Sequence, residues 1–111
     1  MAIVSNKPEQ PTREISDALE LTRFFPVIIG GDTYPERKPH AQPLVEAANL
    51  LGVPLERCVM VGDSDVDIDA AKAAGIPGFW CPWGGIHPDR PDAAARSLKH
   101  FDELVDFALG N

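Results

Sequence analysis

The sequence predicts an α/β fold in which helices flank a parallel sheet. Short apolar runs alternate along the 111 residues with segments whose apolar side chains recur at helical spacing. One run, residues 58–61, is apolar at every position, which is typical of a strand buried on both faces of a parallel sheet. Two of the runs pass directly into polar residues, at Ser5 and at Asp63. Because strands and helices in this order form right-handed crossovers, we expect about four parallel strands with flanking helices.

The first half of the chain carries two predicted strands and one predicted helix. Residues 2–4 are apolar and end at Ser5, which indicates a short strand at the beginning of the sequence. Residues 15–22 have helical spacing and follow prolines that suit a loop or the first turn of a helix. Residues 24–29 form an apolar run that stops at Gly30, as expected for a buried strand that leads into a loop.

The second half repeats this alternation. A helical pattern over residues 44–51 ends at Gly52, where a helix C-cap is expected, and an alanine-rich helix closes at Gly75. The predicted elements, in order, are a helix over residues 44–51, a strand over 58–61, a helix over 67–74, a strand over 78–81, a loop over 82–91 and an amphipathic helix over 101–108. No linker divides the chain, so residues 1–111 are expected to form a single domain.

Composition and charge restrict the function. Lys and Arg number 10 against 17 Asp and Glu, for a net charge near −7. This balance argues against binding to nucleic acid or to an anionic membrane, and it favours a bound cation. The longest apolar stretch, residues 24–31, is too short to span a bilayer, and the first residues lack the pattern of a signal peptide. Two cysteines indicate a reducing compartment, and we expect a cytoplasmic location.

Polar residues with complementary chemistry follow the predicted strands. Ser5 and Asn6 end the first strand, Asp63 ends the third, and Lys38 precedes a helix. Because ligands of open α/β sheets bind at the carboxyl ends of the strands, these side chains are expected at one site. A hydroxyl and a lysine suit phosphate oxygens, and a carboxylate suits Mg²⁺. The set predicts a site for a magnesium-bound phosphate.

Each residue also has a purely structural interpretation. Ser5 can be a turn former at a strand end, and Lys38 can be a surface lysine. Asp67 and Asp69 can cap a helix and complement its dipole. Asp65 and Asp69 are expected to face solvent. Only Asp63 resists such an interpretation, since an apolar strand places it at the edge of the sheet where ligands bind.

Five sequence segments together resemble a known family. They are Val4-Ser5-Asn6-Lys7-Pro8, Gly30-Gly31-Asp32, Arg37-Lys38-Pro39-His40, Val61-Gly62-Asp63-Ser64 and Asp67-Ile68. The combination, from Ala2 to about Pro82, resembles the haloacid dehalogenase superfamily and within it the phosphoglycolate phosphatases. The resemblance implies a Rossmann-like core with a parallel sheet and the activity of a Mg²⁺-dependent phosphomonoesterase.

The resemblance also implies a role for each site residue. Ser5 would hold the transferring phosphoryl group together with the amide of Asn6. Lys38 would neutralise the charge of the phosphate and the nucleophile. Asp63 would bind Mg²⁺, and Asp67 would orient the lysine or the metal shell. These roles fit phosphoryl transfer, which depends mainly on positioning and charge neutralisation.

The chain departs from the family in one respect that decides its activity. The family's first motif, Asp-x-Asp-Gly-Thr, supplies the aspartate that forms an aspartyl-phosphate, and this sequence does not contain it. The small helical cap domain that selects the substrate is also absent. We expect the chain to be the carboxyl half of a phosphatase for a small phosphorylated metabolite, without turnover of its own. The alternative is a non-catalytic phosphate- and Mg²⁺-binding or assembly module derived from such a phosphatase.

The missing motif has a structural consequence. In the family, the strand that carries this first motif lies between the strand that ends at Ser5 and the strand that ends at Asp63. Without it, two strands have unpaired edges, which invite pairing with another chain. Direct pairing of the two strands, insertion of a helix, or a strand from a second copy would repair the defect. We predict the last of these, a homodimer.

Overall fold

A computed structural model of the chain describes residues 1–83 and 94–109, and within them it confirms the α/β class. Strands and helices alternate, with two short 3₁₀ turns at Thr22–Phe24 and Leu55–Arg57. The elements are β1 (Ala2–Val4), α1 (Glu9–Ala18), β2 (Val27–Ile29), α2 (Gln42–Leu51), β3 (Met60–Gly62), α3 (Asp65–Ala74), β4 (Gly78–Trp80), β5 (Arg96–Ser97) and α4 (Asp102–Ala108).

The strands form two separate parallel sheets. β1 pairs with β2, with Ala2 opposite Val27, and β4 lies between β3 and β5, with Met60 opposite Gly78. Within the described residues β1 and β3 do not pair with each other. Direct closure of the sheet is therefore not the arrangement that the chain adopts.

Helices α2 and α3 join the two sheets on one face. α2 packs on β1, β2 and α3, while α3 packs on β3 and β4. Their interface buries Leu44, Ala70 and Ala71 with Ile76 in one apolar cluster, and Val4 and Met60 pack against it from the two sheets. This helical layer sets the relative positions of β1 and β3.

The two remaining helices each pack on one of the sheets. α1 packs on β2, and the ring of Phe107 in α4 meets Phe79 edge to face, with centroids 5.0 Å apart. Trp80 is 1% exposed and packs with Ile68 of α3 and with Ala94, so its indole is part of the core.

The strands are buried to different extents. β2 and β4 are largely buried, whereas every residue of β1 and β3 is only half-buried. In parallel sheets covered by helices, interior strands are normally buried on both faces. Here β4, which has a partner on each side, is fully buried, and β1 and β3, which each have one strand partner in the described part of the chain, are half-buried.

Several element boundaries differ from the sequence-based expectation. β2 begins at Val27 because Thr22–Phe24 forms a 3₁₀ turn and Pro26 has no N–H to donate to a ladder. α1 begins as early as Glu9, whose N–H donates to the Asp32 carboxylate at 2.8 Å. α3 begins at Asp65 because Ser64 caps it.

In the remainder of the chain, the sequence did not predict β5, because this strand has only two residues and they are too few to show a strand pattern. α4 begins at Asp102, close to the predicted start. Residues 84–91 of the expected loop lie outside the described residues. No helix in the described part of the chain is long and apolar enough to cross a membrane.

Candidate functional site

Lys38 lies at the centre of the candidate site. Its side chain is 7% exposed, and Nζ donates to the Val4 carbonyl oxygen at 2.7 Å and to Asp67 Oδ1 at 2.5 Å. An ammonium group carries three N–H donors, so these two contacts leave one donor uncommitted within the described residues. The lysine therefore joins the end of β1 to the beginning of α3 and still has a proton to offer to an anion.

The second oxygen of Asp67 caps helix α3. Oδ2 accepts hydrogen bonds from the backbone N–H groups of Asp63 and Ser64, at 3.2 and 3.3 Å, and from the Ser64 hydroxyl at 3.0 Å. Ser64 and Asp67 form a capping box. Asp67 therefore caps helix α3 with one oxygen and pairs with Lys38 through the other, so both interpretations of this residue apply.

Gly62 makes room for this carboxylate. A Cβ atom at position 62 would overlap Cβ, Cγ and Oδ2 of Asp67. Any side chain at the end of β3 would therefore push Asp67 away from its present position. The absence of a side chain lets the buried carboxylate lie directly against the strand.

Ser5 and Asn6 follow β1 on the other side of Lys38. The Lys7 N–H donates to Ser5 Oγ at 3.0 Å, which leaves the hydroxyl proton of Ser5 without an acceptor in the described part of the chain. Asn6 Nδ2 donates to the Lys38 carbonyl at 2.8 Å and so fixes the loop that carries the lysine. Asn6 Oδ1 is buried and has no hydrogen-bond partner among residues 1–83 and 94–109.

Asp63 is the first residue after β3 and is half-buried. Its carboxylate has neither a hydrogen bond nor an ion pair within the described residues. Burial raises the pKa of the Cys81 thiol, and the charges of Asp63 and Asp67 raise it further. Both carboxylates therefore lie near the end of β4, at the same edge of the sheet.

The charges of the site leave room for a cation. Lys38 carries one positive charge, and Asp63 and Asp67 carry one negative charge each, so a phosphate dianion would meet a net negative site. Mg²⁺ is commonly held by one or two carboxylates with phosphate and water completing its shell, and Asp63 offers such a ligand. The described residues contain no group of three or more His, Cys, Asp or Glu side chains that could hold a metal ion. The donors fit a cation that shares its shell with phosphate and water.

The structure brings four of the five predicted site residues into direct contact. Asn6, Lys38 and Asp67 form one chain of hydrogen bonds, which the backbone of Asp63 extends. Ser5 is covalently next to this chain, and its hydroxyl contacts only the Lys7 amide in the described region. Asp65 and Asp69 are exposed, as expected.

Sequence reasoning missed three contributors to this arrangement. The spacing of Ser64 and Asp67 is a capping-box signature and could have revealed the role of Ser64. The Val4 carbonyl gives no signal, because backbone groups are the same at every position. The close approach at Gly62 depends on how α3 packs on β3 and is invisible before folding.

Comparison with known proteins defines the class. Residues 1–81 match the family model of haloacid dehalogenase-like hydrolases. The match extends over most of the chain, and the chain belongs to this family.

Within the family, the similarity is to phosphoglycolate phosphatases. The phosphoglycolate phosphatase of Aquifex aeolicus is 42% identical over 96% of this chain, which matches 51% of that protein. The chain therefore spans about half the length of this curated relative. The structure of a putative phosphoglycolate phosphatase from Lactobacillus delbrueckii has a TM-score of 0.85 at 28% identity, covering 99% of this chain and 46% of that one. CbbY from Rhodobacter sphaeroides, solved in complex with phosphate, has a TM-score of 0.64 at 35% identity, covering 76% of this chain and 37% of that one.

Proposed function

We propose that this chain forms the phosphate- and Mg²⁺-binding part of a phosphomonoesterase similar to phosphoglycolate phosphatase. The observation that carries the proposal is the buried Lys38 ammonium, which has two acceptors and one uncommitted donor. Relatives named phosphoglycolate phosphatase and a phosphate-bound structural relative support it. The substrate is a small phosphorylated metabolite.

The residues of the chain bind and orient the phosphoryl group. The Ser5 hydroxyl and the third N–H of Lys38 donate hydrogen bonds to phosphate oxygens. Asp67 and the Val4 carbonyl hold the lysine in place, so that its charge needs no reorganisation when negative charge develops. Phosphoryl transfer gains most from such positioning and charge neutralisation.

Asp63 would hold Mg²⁺ beside the phosphate. The residues of the site have a net negative charge and cannot neutralise the phosphate by themselves. The ion would supply the positive charge that is needed. Asp67 is buried, and both of its carboxylate oxygens already accept hydrogen bonds, one from Lys38 and the other from the cap of α3. Asp63 is therefore the carboxylate that remains for the metal.

The nucleophile comes from outside these residues. The family resemblance implies an aspartyl-phosphate, and the sequence contains no Asp-x-Asp-Gly-Thr segment. In this proposal the chain binds phosphate but does not turn over a phosphate ester by itself. A cytoplasmic location stays a prediction from the cysteine content.

Calorimetric titration with inorganic phosphate, with and without Mg²⁺, tests the binding site. The wild-type chain should bind phosphate more tightly in the presence of Mg²⁺, because the site alone has a net negative charge. Lys38→Met should abolish this binding, and Lys72→Met, which removes an exposed lysine of α3, should not change it. Equal binding by both variants, with circular dichroism showing both folded, would reject the site.

The absence of the nucleophile motif also favours a second candidate function, a non-catalytic phosphate- and Mg²⁺-binding or assembly module. Phosphate binding alone does not separate the two functions. An activity that appears once a relative's nucleophile segment is added would identify the phosphatase part. Persistent inactivity of a stable complex would identify the module.

A further inference from the structure

The segment that follows β2 lies directly against the loop that carries Ser5. The Ser5 N–H bonds to the last carbonyl of β2 at 2.9 Å, and the Gly31 N–H bonds to the Lys7 carbonyl at 2.9 Å. The Glu9 N–H donates to the Asp32 carboxylate at 2.8 Å. The backbone from Ser5 to Glu9 is therefore anchored at its start, middle and end to the end of β2 and the residues that follow.

Gly31 approaches one peptide group of this loop, the one that joins Asn6 to Lys7. A Cβ atom at position 31 would overlap the Asn6 carbonyl oxygen. Gly31 does not have the positive φ of Gly52 and Gly75, so this position needs a glycine for space and not for its backbone conformation. Any side chain at position 31 would therefore push the Asn6–Lys7 peptide group out of its present place.

The same peptide group holds the side chain of Ser5. Its N–H, which is the Lys7 amide, donates to Ser5 Oγ at 3.0 Å. Because a peptide group is planar, its carbonyl oxygen and its N–H turn together. A side chain at position 31 that displaced the Asn6 carbonyl would therefore also turn the Lys7 N–H away from Ser5 Oγ, and the hydroxyl would lose the contact that fixes it.

We propose that Gly31 is a positioning residue of the phosphate site, because it holds the Asn6–Lys7 peptide group in the orientation that fixes the Ser5 hydroxyl. While Oγ accepts the Lys7 N–H, the hydroxyl proton stays available to a phosphate oxygen. Gly31 acts through Ser5 and makes no contact of its own with phosphate. The inference rests on the proposed function, since it takes Ser5 as a donor to phosphate.

Phosphate binding by Gly31→Ala, by Ser5→Ala and by the double variant tests the proposal. In calorimetric titrations with inorganic phosphate and Mg²⁺, we expect each single variant to bind about tenfold more weakly than wild type, the effect of one lost hydrogen bond to a charged group. The double variant should bind no more weakly than Ser5→Ala, because both substitutions remove the same hydrogen bond. Wild-type affinity in Gly31→Ala, or losses that multiply in the double variant, would overturn the proposal.

Gly30→Ala is the matched control. A Cβ atom at position 30 would overlap backbone atoms of Pro8 and Glu9, so this substitution also crowds the loop, but it does not press on the Asn6–Lys7 peptide group. We expect Gly30→Ala, shown to be folded by circular dichroism, to bind phosphate like wild type. An equal loss in Gly30→Ala and Gly31→Ala would show that general crowding weakens binding, and it would overturn the proposal.

Hydrogen exchange at the Lys7 amide separates this inference from the proposed function, because it needs no phosphate. Exchange should be faster in Gly31→Ala, as in Ser5→Ala, and unchanged in Gly30→Ala. A wild-type chain that binds no phosphate would reject the proposed function and the inference with it. A wild-type chain that binds phosphate, together with unchanged exchange in Gly31→Ala, would reject the inference alone.

A second pair of variants applies if Gly31→Ala does not fold. Lys7→Pro removes the N–H that bonds to Ser5 Oγ, and Lys7→Ala removes the same side chain but keeps the N–H. We expect the proline variant to bind phosphate about tenfold more weakly than the alanine variant. Equal phosphate binding by the two would overturn the proposal, because the peptide group would then have no effect on Ser5.

Discussion

Lys38 and Asp67 form a buried ion pair whose two side chains are 7% and 9% exposed. Pairs of this kind cost desolvation energy, and their net contribution depends on how completely the remaining hydrogen bonds are made. Here the carboxylate accepts bonds from the cap of α3 as well as from the lysine, and the lysine also bonds to the Val4 carbonyl. The pair is therefore well compensated when intact and costly when broken.

Replacing Asp67 tests this compensation. Asp67→Ala leaves a buried ammonium without its counter-charge and removes the helix cap, so we expect the free energy of unfolding to fall by about 3–5 kcal/mol. Asp69→Ala, at an exposed position of the same helix, should change it by less than about 0.5 kcal/mol. Urea denaturation followed by circular dichroism measures both values. Similar midpoints for the two variants would show that the ion pair contributes little.

Gly62 offers a second test at single-residue resolution. Gly62→Ala places a methyl group where the Asp67 carboxylate now lies, and we expect a loss of about 1–3 kcal/mol of unfolding free energy through displacement of the pair. The same urea denaturation applies. An unchanged midpoint would mean that Asp67 has another rotamer of equal energy available, contrary to its buried position.

Among the elements, the end of β4 brings a cysteine next to the two carboxylates. Cys81 is buried, and burial together with Asp63 and Asp67 raises the pKa of its thiol, whereas Cys58 is half-buried at the end of a 3₁₀ turn. We expect Cys81 to react with a disulfide reagent at pH 8 more slowly than Cys58, because only thiolate attacks. Single Cys→Ser variants assign the two rates, and in urea the rates should become equal.

The same shift gives a sign for the dependence of stability on pH. The folded state favours the neutral thiol of Cys81, so its contribution to stability is complete below the ordinary thiol pKa and is lost as the pH rises from there through the raised pKa of the folded state. Faster labelling of Cys81 than of Cys58 in the folded chain would contradict both the burial and the raised pKa.

How far the sequence predicts each element depends on whether its signal is local. The apolar run before Gly62 and the helical spacing of α2 predict elements that exist, since periodicity and terminating glycines act within a few residues. The separation of β1 from β3 and the contact of Lys38 with the Val4 carbonyl were not derivable from such patterns. Both depend on residues more than 30 positions apart, whose meeting is decided by how α2 packs on α3.

At the scale of the whole molecule, the five predicted site residues offer hydrogen-bond donors and carboxylates, but the sequence lacks the family's nucleophile motif. We expect the purified chain to hydrolyse neither p-nitrophenyl phosphate nor phosphoglycolate in Mg²⁺, because no nucleophile motif is present in its sequence. A steady-state assay with a full-length relative as the positive control measures this. Activity that survives stringent repurification and disappears in Asp63→Asn would overturn the expectation.

The unequal burial of the strands makes the chain useful as a sensor component. β1 and β3 belong to separate sheets, and the packing of α2 against α3 joins these two sheets. On the proposed function, if this chain and the part of a relative outside the match were fused to two other proteins, hydrolysis of a chromogenic phosphate ester would report when those two proteins come together.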